Sequence, residues 1–303
     1  MKHNDNSITC RKVRINDLEL HIAETGDADA PLLILLHGFP DFWFAWRDYM
    51  TELADAGFHV VAPDQRGYNL SDKPRGIGHY KLEILADDIV GLASVLGVQT
   101  FHVVGHDWGG SVAWSIASRH PRRLGRMAVL NAPHPAVWLR NMRGDSEQRR
   151  ISRYVRYLQL PWLPEEALRL GGYHGLSGAF AELPPESFTK EVLDSYREAW
   201  SVPGALTAML NWYRALFRHP EPIPIPGSLS TPCLILWGDY DRFAVPKLAD
   251  ESATLCAEAE VVHLSGVGHW IIYEARDSVL FHLKRFLVEN SASAKGDQKI
   301  PIS

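Results

Sequence analysis

The stretch GHDWGG, residues 105–110, follows the apolar run TFHVV and precedes the helix-like SVAWSIASRH. Its small-x-nucleophile-x-small-small spacing is that of a nucleophile elbow, where a sharp strand-to-helix turn lifts the central side chain out of the sheet. Asp107 occupies the central position, where serine is usual. A serine must lose a proton and attacks an acyl carbon. A carboxylate is already ionised and can attack a saturated carbon directly. The product is an ester of the enzyme, and water can attack its carbonyl once a base removes the water's proton. Position 107 therefore suits two-step hydrolysis of a saturated carbon that carries a leaving group.

Such chemistry needs partners, and the chain offers them in order. LILWGDYDRFAVP places Asp239 and Asp241 just past an apolar run, and LSGVGHWIIYE places His269 in a glycine-flanked loop. Nucleophile, acid, histidine is a recognised triad order. His269 would act as the base, with either aspartate orienting the imidazole and stabilising its cation. In LLILLHGFPDFWFAW, His37-Gly38 lets the chain turn, so that the amide of Phe39 can join that of Trp108 in an oxyanion hole. Standing alone, Asp107 would read as an ordinary helix N-cap; two downstream partners in order weigh against that.

The elements that must position these residues are legible from periodicity. RKVRI and LELHIAET alternate around an Asn16-Asp17 turn, and LLILL, HVVAP, FHVVGH and RMAVLNA read as strands, the first two as apolar runs suited to burial on both faces. WRDYMTELADAG, LEILADDIVGLASVLG and GGSVAWSIASRH read as helices between them. Strand and helix alternate, which implies a parallel sheet covered on both faces. At NAPHP the rhythm changes. SEQRRISRYVRYLQL, ESFTKEVLDSYREAW and GALTAMLNWYRALF are helical, separated by the proline-rich LPWLPEE, AELPPES and HPEPIPIPG. Buried strands are expected again at PCLILWG and AEVVHLS. The division is core 1–133, an all-helical insertion 134–222 serving as a cap or lid, core 223–290 and an irregular tail 291–303.

Of the 303 residues, 46% are hydrophobic and 22% charged, which is ordinary for a globular chain that buries a large core. A net charge of −5 gives no basic field for nucleic acid. No apolar run is long enough for a bilayer, and MKHNDNSITCRKV has no signal-peptide apolar segment, so a cytoplasmic protein is expected. Cys10, Cys233 and Cys256 are odd in number and widely spaced, arguing for reduced thiols, with Cys233 inside a buried strand.

Taken together, HGFPDFWFAWR, PDQRGYNLSDKP, VGHDWGGSVAW and GVGHW resemble the α/β-hydrolase-fold epoxide hydrolases, from roughly residue 12 to 288. The resemblance implies a mostly parallel sheet with helices on both faces and an inserted helical cap. It maps the acid to Asp241 and the base to His269, and it implies two cap tyrosines that assist ring opening. RYVRYLQLPWLPE maps the first to Tyr154, with Tyr157 on the same helical face as the competitor, and LNWYRALF maps the second to Tyr213. Phe39, Trp108, Tyr154 and Tyr213 would line the substrate site. The implied reaction takes a small-molecule epoxide and water and uses no metal or organic cofactor; a homodimer is left open. Haloalkane dehalogenases share the elbow and Trp108 but typically carry asparagine or another halide ligand where Phe39 stands. Fluoroacetate-type dehalogenases carry arginines just after the nucleophile, where this chain has Trp108 and Ser111. Ligand receptors on the same fold are a third reading, against which the full Asp107, Asp241, His269 set weighs.

Overall fold

The computed structural model describes residues 7–184 and 187–288; the tail expected at 291–303 lies outside them. Eight strands form one sheet: β1 (Thr9–Ile15), β2 (Leu18–Thr25), β3 (Leu32–Leu36), β4 (His59–Pro63), β5 (Phe101–His106), β6 (Leu124–Leu130), β7 (Cys233–Gly238) and β8 (Ala259–Leu264). Their order is β1-β2-β4-β3-β5-β6-β7-β8. The β1–β2 and β2–β4 pairs are antiparallel and the remaining pairs parallel. Leu36 pairs with Gly105, His106 with Leu130, and Leu130 with Leu236. The carboxyl ends of β3, β5, β6 and β7 therefore lie in step along one edge, where such sheets bind ligands.

Apolar runs with successive side chains on opposite faces require cover on both sides. Ile34, Val103, Met127 and Ile235 face α2 (Leu82–Val95) and α3 (Trp108–Arg119), whereas Leu33, Val104, Ala128 and Leu234 face α1 (Arg47–Asp55) and α12 (Arg276–Val288). β8 departs from the expected buried strand. It closes the sheet's edge and its side chains are half-buried or exposed, so AEVVHLS has one apolar face to hide and no neighbour beyond it. Cys233 is buried in β7, and the fold brings Cys256 against it.

Between β6 and β7 the described residues form helices and no strand: α4 (Pro135–Gly144), α5 (Ser146–Ile151), α6 (Tyr154–Leu158), α7 (Leu163–Ser177, broken by non-helical backbone at Leu170, Gly171, Gly172 and Tyr173), α8 (Lys190–Ser201) and α9 (Ala205–Arg218). Two expectations are corrected. SEQRRISRYVRYLQL is α5 and α6, interrupted at Ser152-Arg153. LPWLPEE is no mere break, because α7 starts inside it with Pro164 in the first turn, where a missing N–H costs nothing. α10 (Lys247–Ala253) and α11 (Ile271–Glu274) follow β7 and β8. Aromatic side chains pin the helical segment to the core. The Trp200 indole donates to the Pro40 carbonyl at 2.7 Å and the Trp212 indole to the Arg66 carbonyl at 3.0 Å.

Candidate active site

Asp107 sits alone between β5 and α3, with φ 50° and ψ −118°. For a residue with a Cβ this backbone costs on the order of 1–3 kcal/mol, and it persists only where the surroundings enforce it. Here the Asp107 amide donates to the Leu130 carbonyl at 3.2 Å, and the Ser111 amide donates to the Asp107 carbonyl at 3.1 Å. The neighbours leave no room for side chains. A Cβ on Gly109 would lie 2.1 Å from the Leu36 carbonyl oxygen, and one on Gly38 would lie 2.5 Å from the Asp107 Cβ. That close approach lets the Phe39 amide donate to Asp107 Oδ1 at 2.8 Å. The Trp108 amide also hydrogen-bonds the carboxylate. One oxygen of Asp107 is thus clamped by the first loop.

The other oxygen, Oδ2, lies 3.6 Å from His269 Nε2. On the far side of the ring, His269 Nδ1 is 2.8 Å from Asp241 Oδ2. Asp241 also accepts from the amides of Phe243 at 2.7 Å and Ala244 at 3.0 Å, and from Asn131 Nδ2 at 2.7 Å. Asp239, the alternative acid, instead contacts His263 Nδ1 at 2.8 Å. Burial pushes the Asp241 carboxyl up, but His269, Asn131 and the Phe243 amide outweigh it and hold it below the usual carboxylate range. Burial pulls the His269 imidazole down, yet the charges of Asp241, Asp107 and Asp41 win and raise it above its ordinary value. For Asp107 burial prevails over His269 and the two amides, and its carboxyl is raised.

Above Asp107 stand Tyr154 from α6 and Tyr213 from α9, ring centroids 6.4 Å apart. Tyr213 packs edge-on to Phe39 at 5.3 Å and Trp108 at 4.9 Å. Arg214, the next residue on α9, fixes the pair. It donates to the Leu158 carbonyl at 3.1 Å and the Leu160 carbonyl at 2.6 Å, and forms a buried bidentate ion pair with Glu165 at 2.7 and 3.0 Å. α6, α7 and α9 are thereby tied together. Burial raises both phenols, keeping them protonated and able to donate. Tyr157 turns its hydroxyl to the Leu163 carbonyl at 3.3 Å. Tyr154, Tyr213, Asp107, His269 and Phe243 line one cavity with two lobes, Trp108 on the inner side and Phe39 on the outer.

Sequence reasoning passed over two residues. Asn131, the first residue after β6, adopts φ 44°, and its Oδ1 accepts from the Gly238 amide at 3.0 Å while its Nδ2 binds Asp241. Its signal was an asparagine at a strand's carboxyl end beside a chain reversal, a place that favours φ above zero. Asp41, in HGFPD, is buried with Oδ1 accepting from Tyr196 at 2.7 Å and Tyr273 at 3.1 Å. No local pattern announces it, because Tyr196 and Tyr273 are distant in the chain.

Known proteins are similar to this chain in sequence and fold. The alpha/beta hydrolase fold family matches residues 31–275. The AB hydrolase superfamily protein YfhM of Bacillus subtilis is 44% identical over 88% of this chain and 93% of its own. Epoxide hydrolase 2 of Caenorhabditis elegans is 33% identical over 95% of this chain and 82% of its own. A crystal structure of Bacillus megaterium epoxide hydrolase in complex with an inhibitor superposes with a TM-score of 0.83 at 29% identity, covering 91% of this chain and 99% of that one. The chain belongs to the α/β-hydrolase fold family and, within it, to the epoxide hydrolases. Among the described residues no helix is long and apolar enough to cross a membrane.

Proposed function

We propose that this protein hydrolyses epoxides to vicinal diols through a covalent ester on Asp107. The observation that carries this reading is the unequal setting of the two Asp107 oxygens beneath a pair of protonated tyrosines. Oδ1 is engaged by the Phe39 amide, whereas Oδ2 faces the cavity and His269. Oδ2 forms a bond to an epoxide carbon as the carbon–oxygen ring bond breaks. The electron pair goes to the ring oxygen, which takes a proton from the Tyr154–Tyr213 pair; acid help of this kind is worth typically about 10²–10⁴-fold. Residues 134–222 act as the cap that brings these tyrosines over the nucleophile.

The second step uses the same groups. Ester formation removes the Asp107 charge, one of the charges that raise the His269 imidazole. His269 then gives up its proton to restore the phenol spent in ring opening and is neutral when it must accept one from water, with Asp241 steadying the resulting cation. Water attacks the ester carbonyl carbon, and negative charge develops on Oδ1, already within reach of the Phe39 and Trp108 amides. On collapse the Cγ–Oδ2 bond breaks, the departing oxygen takes the proton back from His269 to complete the diol, and the acid that now carries the water oxygen ionises, restoring the carboxylate and the imidazolium. No step calls for a cofactor. His269→Gln should open epoxides and stall, so its intact mass should rise by one whole substrate, with peptide mapping placing the adduct on Asp107. Asp107→Asn should start without it. Heavy-oxygen water giving labelled diol in the first turnover of the unmodified enzyme would show direct attack by water and overturn the ester.

A further inference from the structure

Residues 149–163 hold four arginines, Arg149, Arg150, Arg153 and Arg156, and no acid, in a chain whose net charge is −5. All four are exposed. Among the described residues, Asp145 pairs with Lys247, Glu165 with Arg214 and Glu166 with Arg169, so Glu147 is the one acid of this stretch left to offset four positive charges. The Gln159 and Leu160 amides donate to the Arg156 and Tyr157 carbonyls, which carries the helical spacing past the end of α6. Arg153, Arg156, Tyr157 and Leu160 therefore share one exposed face. Arg214 and the Tyr157 hydroxyl hold the carbonyls of Leu160 and Leu163, and the side chains of Leu160, Trp162 and Leu163 stand outward. On α7, Leu163, Ala167 and Leu170 recur at four and three residues and continue the apolar face. Trp162 is 69% exposed and Leu170 71%. Trp162 also has φ 48° and ψ −33°, a backbone that a bulky side chain rarely adopts. Water exposure and backbone strain both count against an indole here unless the ring has a contact to make.

We propose that this face of α6 and α7 docks the protein on an anionic bilayer surface. Trp162 and the leucines enter the boundary between headgroups and acyl chains, where an amphipathic ring is at home. The arginines meet lipid phosphates, which accept from a guanidinium in the geometry it offers. Charge complementarity selects this occupant over a second copy of the chain. A two-fold contact sets the same patch on both partners, so the arginines of one copy would face those of the other. Tyr157 and Gly175 are exposed and line the outer lobe of the cavity, so that lobe reaches the surface between α6 and α7. Docking brings its opening to the membrane.

The test is flotation of the full chain with vesicles of phosphatidylcholine alone and of phosphatidylcholine and phosphatidylglycerol in equal parts. The protein should float with the second and stay behind with the first, and high salt should release it. Each arginine near such a surface is worth about fivefold in partition, so Arg150→Gln combined with Arg153→Gln should lower it about thirtyfold. Trp162→Gly should also lower it, while the melting temperature stays at or above the parent's because glycine relaxes the turn. Turnover in lipid-free buffer should be unchanged in both variants, which separates lost docking from a damaged fold. Equal flotation with both vesicles, or flotation that survives both variants, would overturn the proposal. No flotation with either would overturn it too and leave the face to an acidic protein partner. A concentration-dependent dimer in light scattering that Trp162→Gly dissolves would likewise overturn it and assign the face to a second copy.

Discussion

His106 donates from Nε2 to the backbone carbonyl of His269 at 2.9 Å, so the residue before Asp107 supports the loop that carries His269. Donation from Nε2 leaves Nδ1 as an acceptor, and it faces Asp41 Oδ2 at 3.9 Å, with neither atom otherwise partnered. Burial, only partly opposed by Tyr196 and Tyr273, pushes the Asp41 carboxyl up to about 7. Between the usual carboxylate range and pH 7 the unfolded chain sheds a proton that the folded protein keeps. The stabilisation is therefore fully present in acid and is lost as pH rises toward 7. Asp41→Asn mimics the protonated form and has no such dependence. Its melting temperature should gain on that of the parent by a few degrees between pH 5 and pH 8; a constant difference across that range would refute the assignment.

Asp107 and His269 influence each other's protonation across 3.6 Å. Removing the Asp107 charge in Asp107→Asn should lower the His269 pKa, read from imidazole proton shifts during titration. An unchanged value would mean that the Asp241 contact alone sets the base. In the active enzyme the raised Asp107 carboxyl should place the acid limb of kcat/KM above the pH at which an exposed aspartate titrates.

The tyrosine register has its own check. Tyr213→Phe and Tyr154→Phe each remove a hydroxyl over Asp107 and should each slow ester formation by about 10²-fold, measured in single turnovers. Tyr157→Phe should cost less, since that hydroxyl serves the Leu163 carbonyl. The reverse ranking would shift the acid by one helical turn.

The Arg214–Glu165 pair is nearly enclosed, with side chains 6% and 7% exposed. Breaking such a pair by removing one partner costs about 3–5 kcal/mol because a charge is left buried alone. Glu165→Ala should lower the thermal midpoint, loosen α7 against α9 and free the Arg214 side chain that also holds α6. Ring opening should slow more than ester hydrolysis, because only the first step uses Tyr154 and Tyr213. Equal slowing of both steps would place the effect on the whole site.

Much of this was legible in the sequence for a physical reason. The elbow, the first loop and the loops after β7 and β8 are local constructions. Gly105 and Gly109 stand where backbones touch, Gly38 leaves room for the Asp107 side chain, and Asp107, Asp241 and His269 follow strand ends that apolar runs disclose. What stayed hidden depends on tertiary approach. Asp239 and Asp241 differ only in which way a turn points them, a matter settled by Asn131 from another strand. Asp41 acquires its setting from Tyr196 and Tyr273, and the edge position of β8 follows from strand order rather than composition.

The backbone of Asp107 sets this protein against its own durability. Glycine would relax the turn at φ 50°, and asparagine would keep its shape, but neither carries the carboxylate that the proposed ester requires. Drift toward a more robust fold therefore leads away from turnover at this one position. A descendant freed from catalysis, retained only to hold a ligand, could gain stability by losing its aspartate.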